Sequence, residues 1–220
     1  MENFIDAYSW INLRFLFKGL VVTFQVATAS ILLSFLIGTL LGWLRFAKLP
    51  FISKIVGLII DIIRNLPLLL IIFFTYFAIP QLTGIRFNIF WAAVTALTIF
   101  ESAMVSEIIR AGLVAIPRGQ MEAGLSTGLS KKATMFYIIF PQAFRMMIPA
   151  LVSQFISLVK DTSLAIIISL PELTHQAQII YGQNSNYVIP MFLLLAVIYF
   201  IICYFLSIIS KILEKRLSYA

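Results

Sequence analysis

The ionisable residues of this chain sit where charge is hardest to keep. Asp61, Arg64 and Asn65 fall at i, i+3 and i+4 within one apolar run. Glu101 and Ser102 lie in the middle of a second run, and Glu107 and Arg110, again i, i+3, lie near its end. Lys160 and Asp161 close a third run. In hydrocarbon each such charge costs about 2.5–3.5 kcal/mol on insertion scales, so each needs a partner or a task. Two chemistries are open to them. Opposite charges at i, i+3 can neutralise one another and tie helices together. Alternatively, a guanidinium grips a carboxylate through two parallel bonds while a carboxylate takes an ammonium, which together would hold a zwitterion. Asp61 and Arg64 admit both readings. Glu107 and Arg110 favour the structural pair.

Other chemistries lack their parts. The chain has one cysteine, Cys203, and one histidine, His175, so neither a disulfide within the chain nor a metal site of several His and Cys ligands is expected. No H-E-x-x-H occurs, and the one G-x-S-x-G, Gly124–Gly128, falls in a short charged segment between apolar runs and not at a strand-to-helix turn, so the usual hydrolytic machinery is not expected. No phosphate-cradling G-x-x-x-x-G-K-[ST] occurs either, so this chain is not expected to hydrolyse ATP.

The elements that must carry these residues are membrane spans. With 61% hydrophobic and only 11% charged residues, a water-facing surface could not be covered. The net charge of +7 is scattered between apolar runs, which argues against nucleic acid as a partner. A span needs roughly 20 mainly apolar residues. Five stretches qualify: about Leu20–Leu44, Ile55–Ile79, Ile89–Ala111, Met135–Val159 and Val188–Leu213. Pro67 interrupts the second and frees the carbonyl of Ile63; Pro141 and Pro149 interrupt the fourth. The aromatics Phe73, Phe74, Tyr76 and Phe77 suit packing and lipid contact. No cleavable signal peptide is visible in the acidic and polar "MENFIDAYSW" at the start.

Charge counting orients the spans. Eleven Lys and Arg residues follow spans one, three and five, against three (Arg14, Lys18 and Arg86) on the other side. This asymmetry places the N-terminus outside and the C-terminus in the cytoplasm. Residues 1–18 then form an extracytoplasmic or interfacial segment, 19–213 the membrane domain, and 214–220 a cytoplasmic tail. Between spans three and four, on the cytoplasmic side, lies "MEAGLSTGLSKK". Met121, Leu125 and Leu129 make an i, i+4, i+8 stripe on a short helix, and Gly124 and Gly128 a bare track beside it. Interior glycines each cost about 1 kcal/mol, so the residues alone allow either a re-entry turn or a helix held by a partner.

"EAGLSTGLSKKATMFYIIFPQAFRMMIPAL", Glu122–Leu151, resembles the EAA loop of ABC importer permeases. Glu122 and Ala123 match the opening of the motif and Gly128 its later glycine; Gly124 replaces its usual second alanine. "GLVVTFQVA", "IRNLPLLL", "ESAMVSEIIRAGLVAIPRGQ", "LVKDTSLAIII" and "PELT" are similar, in order, to the polar amino acid permease subfamily, so the resemblance runs from about Phe17 to Leu217. Glu101 departs from it, standing where that family more often has a small polar residue.

The resemblance implies an all-α integral membrane protein with about five transmembrane helices and the type I ABC importer permease fold, in the bacterial cytoplasmic membrane. It implies half of a translocation pathway for a polar amino acid such as glutamine, glutamate or aspartate, with an ATP-independent carrier or channel as the alternative. A coupling helix at about 121–130, with Glu122, Ala123, Gly124, Leu125, Gly128 and Leu129, would dock on an ATPase. The implied partners are two ATP-binding cassette subunits that hold ATP and Mg, a second permease chain, an extracytoplasmic amino acid-binding protein and membrane lipid. Asp61, Arg64, Asn65, Glu101, Ser102, Lys160 and Asp161 become candidates for the pathway, with pairing of Glu101 to Lys160 as the structural alternative.

Overall fold

A computed structural model describes residues 2–86 and 88–218, all-helical in its regular elements. Of the tail at 214–220, Tyr219 and Ala220 lie outside the described residues. In chain order the helices are α1 (Glu2–Ala7), α2 (Trp10–Phe46), α3 (Ile52–Asn65), α4 (Leu68–Thr83), α5 (Ile89–Ala115), α6 (Arg118–Ser126), α7 (Lys131–Ile168), α8 (Leu173–Gln183) and α9 (Val188–Ser218). Four of them, α2, α5, α7 and α9, are each long and apolar enough to cross a membrane; the bent pair α3–α4 makes a fifth candidate.

The second span differs from the single helix expected. Pro67 pushes Leu66 into extended backbone (φ −91, ψ 141), because its ring excludes the helical conformation of the residue before it. The axis then turns by 104° between α3 and α4. The first span is longer than expected. Its 37 residues run on through Arg14 and Lys18, which therefore share one continuous helix with the span.

Prolines elsewhere are absorbed. Two π-helical turns, Phe74–Ala78 and Met135–Ile139, each end two residues before a proline, Pro80 and Pro141. A proline offers no N–H and its ring crowds the carbonyl four residues back; a wider turn makes room for it. Pro149 lies inside the α-helical part of α7, so the fourth span continues through both prolines expected to break it.

The core is built on α2 against α5. Ser30, Ser34, Gly38 and Gly42 recur every fourth residue, are buried, and form a small-residue stripe along α2. A Cβ on Gly38 would lie 2.7 Å from Cβ of Val105 and 2.8 Å from the carbonyl oxygen of Ser102. Van der Waals contact between close backbones replaces the hydrophobic drive that is absent between helices in lipid. This contact fixes the α5 face that carries Glu101, Ser102 and Glu107.

Candidate functional site

The polar residues of α5 form two layers. Thr98, Glu101 and Ser102, at i, i+3 and i+4, occupy the upper one and are all buried. Glu101 Oε2 accepts a hydrogen bond from Gln154 Nε2 of α7 at 3.2 Å. Glu101 Oε1, Ser102 Oγ and Thr98 Oγ1 are buried without a partner in the structure. Three unpartnered polar atoms on one face are costly in a dry interior and are well suited to a polar ligand. Nothing in the sequence singles out Gln154, because an amide carries no charge to stand out in an apolar run. Lys160 is exposed and makes no ion pair among the described residues, so the alternative pairing with Glu101 is not formed. Lys160 and Asp161 do close the α-helical part of α7, as their position in the sequence suggests.

The lower layer centres on Glu107, six residues on and so about 9 Å along the helix from Glu101. Arg110 donates through Nε to Glu107 Oε2 at 3.0 Å and through Nη2 to Oε1, the i, i+3 pair expected. Arg45 Nη1, from the end of α2, donates to the same Oε2 at 2.9 Å. Arg64 Nη1 approaches it at 3.9 Å. Asp61 sits 3.7 Å from Arg45, not on Arg64. The expected Asp61–Arg64 pair is thus replaced by contacts across helices: one carboxylate gathers three guanidinium groups from three helices. Asn65 donates to the carbonyl oxygen of Asp61 at 2.7 Å. The side chains of Asp61 and Arg64 stay 57% and 36% exposed, so each keeps an open surface beyond these ion pairs. Arg45 is one of the eleven cations counted after spans one, three and five, and nothing local in the sequence points it at Glu107.

The segment expected to couple to a partner is a helix, α6, that starts at Arg118, ahead of the expected 121–130, and stops short of its end. It ends at Ser126 in a glycine-terminated motif: Gly128 N–H bonds to Leu125 O at 3.0 Å and Leu129 N–H to Gly124 O at 3.2 Å. Gly128 has φ +86, and this left-handed residue stops the helix. Gly128 and Leu129 therefore lie beyond the helix and continue neither the bare track nor the apolar stripe. Gly124 is buried against Thr134 of α7, so its missing side chain serves a contact within the chain. Glu122, Ala123 and Leu125 are exposed.

Outside the spans, Glu172 caps α8. It accepts from the N–H of Thr174 at 2.9 Å and of His175 at 2.7 Å, and from the Tyr199 hydroxyl at 3.3 Å. Burial pushes its carboxyl up to about 7 despite these bonds, and burial lowers the His175 imidazole below its ordinary value. His175 and Glu172 belong to one helix cap.

Comparison with known proteins agrees with this geometry. The pattern of the family described as "Binding-protein-dependent transport system inner membrane component" matches residues 34–219. The chain is 56% identical over 216 residues to the probable glutamine ABC transporter permease protein GlnP of Bacillus subtilis (strain 168), covering 97% of this chain and 99% of the relative. It is 35% identical to the L-cystine transport system permease protein TcyB of the same organism, over 91% of this chain and 85% of the relative. A crystal structure of an amino acid ABC transporter with histidines superposes with a TM-score of 0.87 at 32% identity, covering 93% and 94% of the two chains.

Proposed function

The chain belongs to the family of binding-protein-dependent transport system inner membrane components, and from that premise we propose that it imports glutamine or a closely similar polar amino acid. It is the membrane-spanning permease subunit of an ATP-driven amino acid importer. Two such chains, identical or related, would form the pathway. Two ATPase subunits, holding ATP and Mg, would drive it through α6, and a binding protein would deliver substrate on the extracytoplasmic side. The N-terminus lies outside and the C-terminus inside in this reading.

One observation supports the substrate role above the others: Glu101 is buried at mid-span, with one oxygen on Gln154 and the other unpartnered beside Ser102 and Thr98. A carboxylate and two hydroxyls can receive an ammonium and the side-chain amide of glutamine. The partly exposed Arg64 supplies the group that suits a carboxylate, with Asp61 and Asn65 around it. ATP binding on the partner subunits would move α6, and Thr134 seated on Gly124 passes that displacement directly to α7, the helix that carries Gln154 and Asp161.

The test is uptake of a panel of labelled amino acids by the complete transporter in vesicles. Glutamine is expected to be taken up best. Arg64→Ala is expected to lower uptake of every amino acid, whereas Glu101→Gln alters the order of preference. Normal transport by Arg64→Ala would remove Arg64 from substrate recognition.

A further inference from the structure

A sizeable hollow lies away from these layers, at the end of α2. It measures about 880 Å³ and is walled by Trp43, Phe46, Phe136 and Phe140, with Lys48, Lys131 and Lys132 among its lining residues. A second hollow of about 340 Å³ shares Trp43 and Phe140 and continues along α2 past Leu40 and Leu36 to Phe35. Together they form one groove, apolar along its length and basic at one end. From Trp43 to Phe35 it climbs eight residues, about 12 Å, close to the roughly 15 Å depth of one hydrocarbon leaflet.

The basic end is a fixed feature of the fold. Lys48 follows the end of α2 in a left-handed conformation (φ 51), and Lys131 and Lys132 open α7 after the cap at Ser130. None of the three forms an ion pair among the described residues, whereas nearby Arg45 and Arg110 are engaged by Glu107. An adjoining hollow of about 310 Å³ also borders Lys48 and adds Arg118. Trp43 is 48% exposed at the level where an amphipathic ring favours the membrane interface.

We propose that this groove binds one anionic phospholipid, its phosphate headgroup held by Lys48, Lys131 and Lys132 and one acyl chain lying along α2 between Trp43 and Phe35. Apolar walls at bilayer depth with lysines at the surface match such a lipid and no soluble ligand. An ATPase surface would meet the lysines, but it could not follow the groove into the hydrocarbon. The proposal rests on the chain being a membrane permease and is independent of its substrate. A lipid there joins the end of α2 to the start of α7 and lies beside Met121 of α6, so headgroup charge would influence how firmly the coupling segment is seated.

The experiment uses the complete transporter in phosphatidylcholine vesicles, with either phosphatidylglycerol or phosphatidylcholine carrying a dibrominated acyl chain. Quenching of Trp43 is obtained as the difference between Trp10→Phe/Trp91→Phe and the variant that also carries Trp43→Phe. Brominated phosphatidylglycerol is expected to quench Trp43 at much lower mole fraction than brominated phosphatidylcholine. Each single change, Lys48→Gln, Lys131→Gln or Lys132→Gln, should reduce that preference about fivefold, and the triple change should abolish it. Lys54→Gln with Lys211→Gln should leave it intact. Equal quenching by the two lipids in the native background would mean ordinary surrounding lipid and overturns the proposal. Absence of quenching by either lipid would mean that protein covers the groove, and overturns it too. So would a preference that survives the triple change. Because uptake is not the readout, failure here is separable from failure of the substrate assignment.

Discussion

At Glu101 one oxygen is committed to Gln154 and the other to nothing, and this asymmetry has a measurable consequence. Glu101→Gln keeps the shape and the bond to Gln154 but removes the charge. Losing one charge-assisted hydrogen bond costs about 1.5–3 kcal/mol, so discrimination between glutamine and glutamate should change by about 10- to 100-fold in competition uptake assays. An unchanged preference order would leave Glu101 as a helix-to-helix contact only. Glu172 offers a different residue-scale test, because its carboxyl is raised to about 7 from 4.5. The folded state holds the proton more tightly, so the stability linked to this group is fully present below about pH 4.5 and is lost as pH rises through about 7. His175, lowered by burial, acts in the opposite sense, and its contribution is lost as pH falls below the ordinary imidazole range. Glu172→Gln should lower stability by about 1 kcal/mol through the weakened cap and flatten the decline between about pH 4.5 and 7. Thermal unfolding of the purified complex at both pH values checks this, and an unaltered slope would assign the pH dependence elsewhere. The presence of the buried acids is plain from residue type alone. Their partners are less so, since Gln154 and Arg45 reach them from other helices and leave no local spacing to detect.

Among the elements, long apolar runs were legible and their internal geometry was not. The third span, expected at Ile89–Ala111, is the helix Ile89–Ala115, begun by the Asn88 cap that accepts from Phe90 N–H at 2.9 Å. Pro67 announces a disturbance in the second, but the 104° turn depends on how α4 packs against α5. The π turns carry no hydrophobic period by which they could be recognised. The α2 stripe was open to detection, since Ser30, Ser34, Gly38 and Gly42 stand at regular fourth positions, yet small residues hardly alter the apolar average that defines a span. Gly38→Leu should separate α2 from α5 at a cost of about 1–3 kcal/mol or more, visible as reduced thermal stability and reduced yield of the assembled complex. Normal stability would mean that the stripe tolerates a wider helix spacing. Gly128 shows why a motif position is not yet a role. Its left-handed backbone, with open space around it, makes Gly128→Leu a test of helix termination as much as of docking. An exposed helix change, Ala123→Leu, separates the two. It leaves the terminating glycine untouched and should still reduce recovery of the ATPase with the permease.

On the scale of the whole molecule, topology joins the residue layers to the direction of transport. Only one span-length helix, α7, separates Ser126 from Ser185 among the described residues, because α8 is an 11-residue helix, too short to cross a bilayer. The two serines, both exposed, must then lie on opposite sides of the membrane. The excess of Lys and Arg around α6 predicts that Ser126 faces the cytoplasm. In a Cys203→Ser background, Ser126→Cys should react only with thiol reagents admitted to the inside, and Ser185→Cys with impermeant reagent added outside. Assembly with the ATPase should slow modification at Ser126→Cys several-fold, since α6 would then be covered, and leave Ser185→Cys unchanged. Reaction of both from one side would break the count of crossings. Reversed sides with the count intact would invert the orientation. Undiminished labelling of Ser126→Cys in the assembled complex would place the ATPase contact away from α6, leaving the Gly124–Thr134 seat without a driving partner.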